Sequence, residues 1–484
     1  MSKFLSDLIS AEENISSIKI NGLTSDSRDV LPGFIFAALP GKKNNGKSFI
    51  YDAIRKGAVA VIAETGTQIN DSDTVLITSD NPRSKYAKIA SKFYKEKPNW
   101  LGAVTGTNGK TSVANFTFQL WKTMSLNGAA IGTLGINSIN YKSDLELTTP
   151  EPVTLHKELS EIYSRGLDYA VIEASSHGLD QSRLDGIKFD AAAFTNLSHD
   201  HLDYHSTFEE YKKAKIRLFK DLVNKNGVAI LNRDSKEFYE FQDAAKQNKL
   251  SIMSYGRSNQ SDVSILSIKT KNIGQEILLK INGKKEKILF PLFGDFQVYN
   301  AICALCLVIV SGARIESALD SLGHLTGVKG RLELVVELPN RSKIFIDYAH
   351  SPEALEKTLL SLKNHTKGNL NLVFGCGGDR DEAKRFTMGK IAYKYAQKVY
   401  ITDDNPRNEN PERIRKAILS GCNNAQEIGD RRQAISIAVS ELSPGDILLI
   451  AGKGHETDQI YNNDVKPFDD RDEVKRAVIF RREK

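Results

Sequence analysis

The first part of the chain carries short apolar segments that alternate with polar stretches. Residues 34–39 and 58–63 are two such segments, and both are rich in Phe, Ile, Val and Ala. Runs of this length and composition predict β-strands. The charged stretch at residues 95–99 then interrupts the pattern. It predicts the end of a small N-terminal domain that spans residues 1–98.

A second series of elements begins with a buried strand at residues 101–105, a glycine-containing turn and a helix that extends to about Met124. Apolar runs follow at residues 169–174, 191–197 and 227–231, with helical patterns between them. Strands that alternate with helices favour a parallel sheet covered by helices on both faces. The pattern predicts a central domain at residues 99–330.

A third series lies beyond residue 330, with predicted strands at residues 343–346, 369–374, 398–402 and 446–450. It predicts a C-terminal domain at residues 331–484. The chain is therefore expected to be an α/β protein of three domains: a small N-terminal α/β domain, a central parallel sheet of the P-loop type, and a C-terminal Rossmann-like α/β domain.

Composition and charge are compatible with this organisation and narrow the possible partners. The chain has 484 residues and a formal net charge of +6, and a length prior of ~150 residues per domain also suggests three domains. The weak net charge and the absence of a basic block argue against a nucleic-acid partner. The N-terminus has no apolar signal-peptide core and residues 301–310 are too short to span a bilayer, so we expect a cytoplasmic protein without membrane insertion.

The cysteines do not have the spacing of a metal site. Cys303 and Cys306 form a single C-x-x-C pair inside an apolar run, and Cys376 and Cys422 lie far from it. A structural zinc site needs a second pair of ligands. We therefore expect buried thiols and, weakly, a reducing compartment.

The turn after the strand at residues 101–105 has the composition of a phosphate-binding loop. Its residues are Gly106, Thr107, Asn108, Gly109, Lys110, Thr111 and Ser112. Glycines let the backbone approach phosphate oxygens, and the helix N-terminus offers free N–H groups and the positive end of its dipole. The lysine adds a positive charge, and the threonine hydroxyl can reach Mg²⁺. Val104 stands where the general P-loop has its first glycine, so this is a shorter variant that predicts ATP binding.

Three further features of the central domain carry candidate chemistry. Glu173 ends an apolar strand, where a carboxylate points toward the ligand crevice of an α/β sheet and can hold Mg²⁺. Residues 196–205 contain three histidines and two aspartates, which suit metal binding or the positioning of a carboxylate. Lys215 lies in a predicted helix, and taken alone it is expected to be exposed.

Several segments together resemble the Mur ligase family, over nearly the whole chain. They are TTP at residues 148–150, EASSHGL at 173–179, DHLDYH at 200–205, GRLE at 330–333 and DYAHSP at 347–352. The resemblance is to the members that add the third residue of the peptidoglycan stem peptide. It implies an ATP-dependent amide ligase that adds meso-diaminopimelate to UDP-N-acetylmuramoyl-L-alanyl-D-glutamate through an acyl phosphate. It also implies roles in cell-wall biogenesis, cell shape and cell division, and a monomer.

The resemblance assigns roles by motif. Lys110 matches a catalytic, ATP-binding lysine, and Thr111, Glu173 and His201 match Mg²⁺ ligands. Lys215 matches a lysine that CO₂ carbamylates, which turns a cationic side chain into an oxygen donor for a hard metal ion. The remaining ATP-binding positions are Asn300, near the adenine, and Arg331, Asp347 and His350 of the C-terminal domain.

The other two substrates also have matching positions. For the UDP-muramoyl dipeptide they are Ser27, Lys42, Lys43, Asn44, Thr148, Thr149, Ser175, Gln181 and Arg183. For diaminopimelate they are Arg380, Asp404, Asn405, Pro406, Arg407, Gly452 and Glu456. Arg407 is the most informative, because lysine-adding relatives lack it and a guanidinium can grip the second carboxylate of diaminopimelate.

Three alternatives stay open on sequence grounds. The chain is also compatible with a lysine-adding member of the family, with a folate polyglutamate ligase, or with a nucleotide-binding protein that has lost ligation. The first differs in its amino-acid acceptor. The last predicts ATP binding without acceptor-dependent phosphate release.

Overall fold

The computed structural model describes residues 2–9, 17–41, 45–200, 204–271 and 273–482. The N-terminal elements, with two 3₁₀ turns at Ser27–Asp29 and Gly46–Phe49, are β1 (Lys3–Phe4), α1 (Leu5–Leu8), β2 (Lys19–Ile20), β3 (Gly22–Thr24), β4 (Phe34–Ala37), α2 (Ile50–Arg55), β5 (Ala58–Glu64), β6 (Val75–Ser79) and α3 (Pro82–Phe93).

The N-terminal sheet has the order β3-β4-β5-β6, and its strands are parallel. The strands predicted at residues 34–39 and 58–63 are confirmed as β4 and β5. Helix α3 packs on this sheet. It begins where the Asn81 side chain accepts the Ser84 N–H at 2.9 Å and Pro82 takes the first helical position, which is a favourable start for a helix.

The central elements, with a π-helical turn at Leu218–Leu222 and a 3₁₀ turn at Leu322–His324, are β7 (Trp100–Thr105), α4 (Lys110–Thr123), β8 (Gly128–Gly132), β9 (Gly135–Ser138), β10 (Lys142–Ser143), α5 (Pro152–Ser164), β11 (Tyr169–Glu173), α6 (Ser176–Asp180), β12 (Phe189–Phe194), α7 (Phe208–Arg217), β13 (Val223–Asn232), α8 (Phe238–Gln247), β14 (Ser251–Gly256), β15 (Val263–Thr270), β16 (Gln275–Ile281), β17 (Lys284–Phe290), α9 (Asp295–Val310) and α10 (Ile315–Ser321).

The central sheet has eleven strands in the order β10-β9-β8-β11-β7-β12-β13-β14-β15-β16-β17. The strands from β8 to β15 are parallel, as predicted. Both edges are antiparallel, because β9 and β10 add to one side and β16 and β17 to the other. The sheet is therefore mixed rather than wholly parallel, which the sequence analysis did not predict.

Buried apolar layers cover both faces of the central sheet. Helices α4 and α9 supply most of one layer, and α5 and α8 contribute to the other. Cys303 and Cys306 lie fully buried in α9 and unbonded, which confirms the expectation of buried thiols. Among the described residues, no helix combines the length and apolarity that a bilayer crossing requires.

The C-terminal elements are β18 (Glu333–Glu337), β19 (Lys343–Asp347), α11 (Pro352–Lys363), β20 (Leu370–Phe374), α12 (Ala383–Tyr395), β21 (Lys398–Ile401), α13 (Pro411–Leu419), β22 (Gln426–Glu427), α14 (Arg431–Ser440), β23 (Ile447–Ala451), β24 (Asp458–Tyr461), β25 (Asp464–Pro467) and α15 (Asp470–Arg482). The six-stranded sheet has the order β18-β19-β23-β20-β21-β22 and is parallel except for the β18–β19 pair. All four strands predicted in this region are present.

The connection between the central and C-terminal sheets contains a close backbone contact. Gly330 has a φ of 65° and Gly454 a φ of 58°, values that favour glycine. A Cβ on Gly330 would overlap the backbone of Gly454 and His455. We propose domain boundaries near residues 98 and 330, since β7 and β18 begin new sheets just after them.

Candidate active site

The turn that follows β7 has the geometry of a phosphate cradle. Gly106 and Gly109 have φ values of 149° and 93°, and α4 begins at Lys110. The loop is anchored from one side, because the Thr107 N–H donates to the Asn196 carbonyl at 2.9 Å and the Asn108 N–H to the Asn196 side chain at 3.0 Å. The N–H groups of the first turn of α4 have no acceptor within the helix, so they are available to a phosphate.

The loop leaves no room for side chains at its glycines. A Cβ on Gly106 would overlap the Thr195 hydroxyl, and one on Gly109 would overlap the Asn300 side-chain oxygen. We expect Gly106→Ala to weaken ATP binding by about tenfold or more, because the substitution is also strained at this φ. Calorimetric titration with an ATP analogue would measure it. Gly66→Ala, in an open turn of the N-terminal sheet, is the control, and unchanged affinity of Gly106→Ala would contradict the prediction.

Lys110 and Glu173 bring opposite charges to the cradle. The Lys110 Nζ donates to the Gly106 and Thr107 carbonyls at 2.9 and 2.8 Å. Burial lowers the pKa of Lys110, and the charges of Glu173 and Asp200 oppose that shift. Burial likewise raises the pKa of Glu173, while Lys110 and the hydrogen bonds to its carboxylate lower it. The two groups stabilise each other's charged forms.

Glu173 and Thr111 present hard oxygen atoms beside the cradle. The Glu173 carboxylate accepts the Thr111 hydroxyl at 2.9 Å and the Thr133 N–H at 2.9 Å, and it is almost fully buried. Mg²⁺ is commonly held by one or two protein oxygens together with nucleotide phosphates, and this donor set fits it. Within the described part of the chain, no group of three or more His, Cys, Asp and Glu side chains forms a metal cluster. The predicted ligand His201 lies outside the described residues.

Lys215 is buried, contrary to the expectation for a lone helical lysine. It is 1% exposed, its Nζ donates to the Gly106 carbonyl at 2.9 Å, and it lies 4.4 Å from the centre of the Tyr211 ring. Burial and the charge of Lys110 hold the pKa of Lys215 well below its usual range. Helix α7 therefore delivers an amine to the phosphate cradle itself.

The C-terminal domain reaches the cradle through Arg331. Its Nη2 donates to the Thr111 hydroxyl at 3.3 Å, and its guanidinium lies 4.4 Å from the centre of the Tyr348 ring. Asp347 accepts the N–H groups of Leu332 and Ala349 at 2.6 and 2.9 Å, so it fixes the backbone around Arg331. Both residues thus stand beside the predicted ATP site, Arg331 by its own side chain and Asp347 through the backbone.

Two other predicted ATP positions flank the same cleft. The His350 Nδ1–H donates to the Tyr348 carbonyl at 2.9 Å, and burial lowers the pKa of His350. Asn300 lies in α9 with its side chain against Gly109 of the phosphate turn. Ser112 lies buried in the first turn of α4.

A connected polar network follows β11. The Thr149 hydroxyl donates to the Glu173 carbonyl at 2.7 Å and accepts the Ser175 N–H at 2.9 Å. The Arg183 Nη1 donates to the Thr149 carbonyl at 2.8 Å, and its Nη2 to the Gln181 side chain at 2.7 Å. Thr148 joins the network at 3.0 Å from the Thr133 hydroxyl. All five residues predicted for the muramoyl dipeptide in this domain are therefore brought together.

The N-terminal domain carries the other four residues predicted to bind the UDP-muramoyl dipeptide, and the structure describes one of them. Ser27 begins a 3₁₀ turn, and its carbonyl accepts the Lys56 Nζ at 2.8 Å. Lys42, Lys43 and Asn44 lie outside the described residues. Arg83 contacts the start of this loop, because its Nη2 donates to the Pro40 carbonyl at 2.6 Å.

A cavity of about 1530 Å³ separates the central and C-terminal domains. Six of the seven residues predicted for diaminopimelate line it: Arg380, Asp404, Asn405, Arg407, Gly452 and Glu456. Pro406 lies between two of these. His350, Asn196 and Asp200 also line the cavity, and Asn196 binds the phosphate turn, so the acceptor residues and neighbours of the turn share one open cleft.

Two loops hold Arg407 in place. The Arg407 Nη1 donates to the Gly378 carbonyl at 2.8 Å, and the φ of Arg407 is 52°, a costly value for a residue with a side chain. The Asn408 side chain donates to Asp379 at 2.8 Å, and Glu409 accepts the buried Arg385 at 2.8 Å. These contacts fix the loop that carries Arg407 against the loop that carries Arg380.

Sequence reasoning missed several residues of the site. Thr133 binds Glu173, Asn196 binds the phosphate turn, and Lys453 binds Asn405 and Glu456. Asn196 stands in the histidine-rich segment at residues 196–205, and Lys453 stands between the predicted acceptor residues Gly452 and Glu456. Their positions in the sequence were therefore a usable signal. Thr133 stands in a turn between β8 and β9 without any motif.

Comparison with known proteins agrees with this geometry. Residues 104–308 match the model of the Mur ligase middle domain, residues 330–454 that of the Mur ligase glutamate ligase domain, and residues 19–107 that of the Mur ligase family catalytic domain. A UDP-N-acetylmuramoyl-L-alanyl-D-glutamate–2,6-diaminopimelate ligase of Brucella melitensis biotype 1 is 45% identical over 466 residues, which cover 96% of this chain and 95% of that protein.

Solved structures show the same likeness. A structure of a UDP-N-acetylmuramoyl-L-alanyl-D-glutamate–2,6-diaminopimelate ligase has a TM-score of 0.75 and 32% identity, with 100% of both chains covered. MurF of Thermotoga maritima in complex with ADP has a TM-score of 0.63 and 17% identity over 95% of this chain and 97% of that one, and shows the same fold. By sequence and by three-domain α/β structure, the chain belongs to the Mur ligase family.

Proposed function

We propose that this protein is the ATP-dependent ligase that adds meso-diaminopimelate to UDP-N-acetylmuramoyl-L-alanyl-D-glutamate in peptidoglycan precursor synthesis. The observation that carries the proposal is the cleft that is lined both by Arg407 and Glu456 of the C-terminal domain and by Asn196, which binds the phosphate turn. The name and 45% identity of the Brucella relative support it.

ATP is the proposed energy source. The phosphate turn offers helix N–H groups, Lys110 and Arg331 to the polyphosphate, and these cations offset charge on the transferring phosphoryl group. Mg²⁺ bound by Thr111, Glu173 and His201 would neutralise further phosphate charge. The MurF structure of the same fold that holds ADP is consistent with this use of the cleft.

The dipeptide carboxylate is proposed to approach along the network of Thr149, Ser175 and Arg183. Arg183 has spare donor capacity, since its buried Nε has no hydrogen-bond partner among the described residues. The carboxylate oxygen attacks the γ-phosphorus of ATP, which gives an acyl phosphate and ADP. The amine of diaminopimelate then attacks the acyl carbon, and the tetrahedral intermediate collapses with release of phosphate and a proton. Domain closure protects the acyl phosphate from water.

The acceptor is proposed to bind with its charges matched across the cavity. Arg380 and Arg407 are placed to receive carboxylates, and Asp404 and Glu456 to receive an ammonium group. Guanidinium–carboxylate pairs can be bidentate and directional. Lysine lacks the second carboxylate, so the arginine pair favours diaminopimelate over lysine.

An acceptor screen tests this function directly. The UDP-muramoyl dipeptide, ATP and Mg²⁺ would be incubated with diaminopimelate, lysine or no amino acid, and phosphate release measured. We expect release with diaminopimelate and at least tenfold less with lysine. Equal rates would favour a lysine-adding enzyme, and ATP binding without acceptor-dependent release would indicate that ligation has been lost. Release with a folate and glutamate instead would identify a folate polyglutamate ligase.

We also propose that Lys215 is carbamylated by CO₂. The support is its burial against the Gly106 carbonyl, where an anionic carbamate oxygen would face bound metal and phosphate. Removing bicarbonate and CO₂ from the assay is expected to lower kcat several-fold, and adding bicarbonate to restore it. Lys215→Arg should be slow and indifferent to bicarbonate. A wild-type rate that is independent of bicarbonate would contradict the carbamate.

The cellular setting follows from the reaction. We propose a cytoplasmic monomer, because the proposed substrates are cytoplasmic nucleotides and the described residues of the site all come from one chain. Loss of the enzyme would then disturb cell-wall biogenesis, cell shape and division. Light scattering would test the oligomeric state, and depletion in the source bacterium the phenotype.

A further inference from the structure

A buried cation lies behind the acceptor residues. Lys453 lies two residues after the end of β23 and is fully buried. Its Nζ donates to the Asn405 Oδ1 at 3.0 Å, to the Glu456 Oε2 at 3.3 Å and to the Asp458 carbonyl. The ammonium thus has three oxygen partners and does not itself line the cavity, whereas Asn405 and Glu456 do.

These bonds determine the orientation of the Asn405 amide. The Oδ1 accepts both the Lys453 ammonium and the Ile460 N–H, the latter at 3.1 Å. Because two donors meet at that atom, the Nδ2 must point the other way, and it donates to the Glu456 Oε2 at 2.9 Å. One carboxylate oxygen of Glu456 therefore receives both Lys453 and Asn405.

Asp404 is a second carboxylate that lines the same cavity as Glu456, and its charge acts on Glu456. Gly452, with a φ of 111°, packs against Asp404 and lets the chain pass close to it. The charged and titratable groups that act on Glu456 are Asp404, Lys453, Tyr348 and the buried Arg431. Arg431 is already paired with Asp470 at 2.7 Å. Lys453 hydrogen-bonds directly to the Glu456 carboxylate.

The neighbours of Glu456 have opposite effects on its charge. Burial and Asp404 raise the pKa of Glu456, and the charge of Lys453 and the hydrogen bonds from Asn405 and Lys453 lower it. Without the Lys453 cation, the partly buried Glu456 carboxylate beside the charge of Asp404 would hold a proton more readily. A protonated Glu456 would attract an ammonium group less strongly.

We infer that Lys453 is a positioning residue for the amino-acid acceptor, holding Asn405 and Glu456 so that the Glu456 and Asp404 carboxylates together bind the distal ammonium group of the substrate. The inference rests on the proposed function, because it takes the acceptor to carry such a group. It assigns Lys453 no contact with substrate. Its effect is transmitted through the side chains that it binds.

Lys453→Met tests the inference, because methionine roughly preserves volume and removes the charge. We expect kcat/KM for diaminopimelate to fall about 10- to 100-fold, mostly through KM, since a lost charged hydrogen bond is worth about 1.5–3 kcal/mol. The acid limb of the pH profile, where kcat/KM rises as Glu456 loses its proton, should also move to higher pH, because Lys453 lowers the pKa of Glu456. The KM values for ATP and the UDP-muramoyl dipeptide should change less than about twofold. Lys466→Met, on the exposed hairpin, is the matched control.

Asn405→Asp is the second variant if Lys453→Met does not fold. It keeps the Lys453 partner and places a carboxylate beside Glu456, so the acid limb should again move to higher pH. An active Lys453→Met with unchanged KM for diaminopimelate and an unchanged pH profile would overturn the inference, as would Asn405→Asp with an unshifted limb. Wild-type protein that releases no phosphate with diaminopimelate would instead overturn the proposed function.

Discussion

Lys110→Ala is expected to lower kcat for ligation by about 10³-fold, because the variant loses the cation that the phosphate turn holds against the transferring phosphoryl group. The side chain is held at the mouth of the turn by the Gly106 and Thr107 carbonyls. Acceptor-dependent phosphate release measures the effect. Binding of the UDP-muramoyl dipeptide should persist, because the Lys110 Nζ donates to the Gly106 and Thr107 carbonyls and not to the residues predicted to bind the dipeptide.

Two controls keep this result interpretable. Lys122→Ala changes an exposed lysine near the other end of α4 and should leave kcat unchanged. Thermal unfolding of Lys110→Ala should stay cooperative, because Lys110 is only partly buried and is not part of the apolar core. Near-normal ligation by a folded Lys110→Ala would rule out the phosphate turn as the site of ATP.

Arg407→Ala should give the second large effect, on the acceptor rather than on ATP. We expect kcat/KM for diaminopimelate to fall about 100-fold, since truncating one member of a desolvated charge pair costs about 2–5 kcal/mol. The value for lysine should change little, because lysine has no second carboxylate. The ratio of the two acceptors, measured in competition, therefore reports the role of Arg407 directly.

Arg413→Ala supplies the matched control. Arg413 lies close by in α13 with its side chain 74% exposed, so its removal should not affect selectivity. Arg407→Lys should retain part of the binding energy but not the bidentate geometry. If Arg407→Ala lost ligation of diaminopimelate and of lysine equally, Arg407 would be supporting the loop rather than binding the second carboxylate of the substrate.

The sequence predicted the parallel core of the sheets well and their edges poorly. Strands β7, β11 and β12 are short apolar runs between helices, and that pattern is typical of a parallel sheet covered by helices. The hairpin of β16 and β17 turns at Asn282-Gly283, with φ values of 49° and 77°. This dipeptide is a strong signal for a β-hairpin, so the sequence does contain a pattern that predicts this antiparallel edge.

The site residues were predictable to the extent that motifs marked them. Lys215 shows the limit: its helix is polar, and only the resemblance to a family singled it out, while its burial against Gly106 depends on how α7 docks over the phosphate turn. Thr133 and Lys453 act through other side chains. Thr133 stands outside any motif, and its contact with Glu173, 40 residues along the chain, is one that no local pattern encodes.

The contact between Gly330 and Gly454 makes this junction sensitive to single substitutions on either side. Gly330 precedes Arg331, which reaches the phosphate turn, and Gly454 belongs to the loop that carries Glu456. A Cβ on Gly330 would overlap the backbone of residues 454 and 455, and a Cβ on Gly454 would overlap Tyr348. One side chain added at either glycine is therefore expected to disturb the nucleotide side and the acceptor side together.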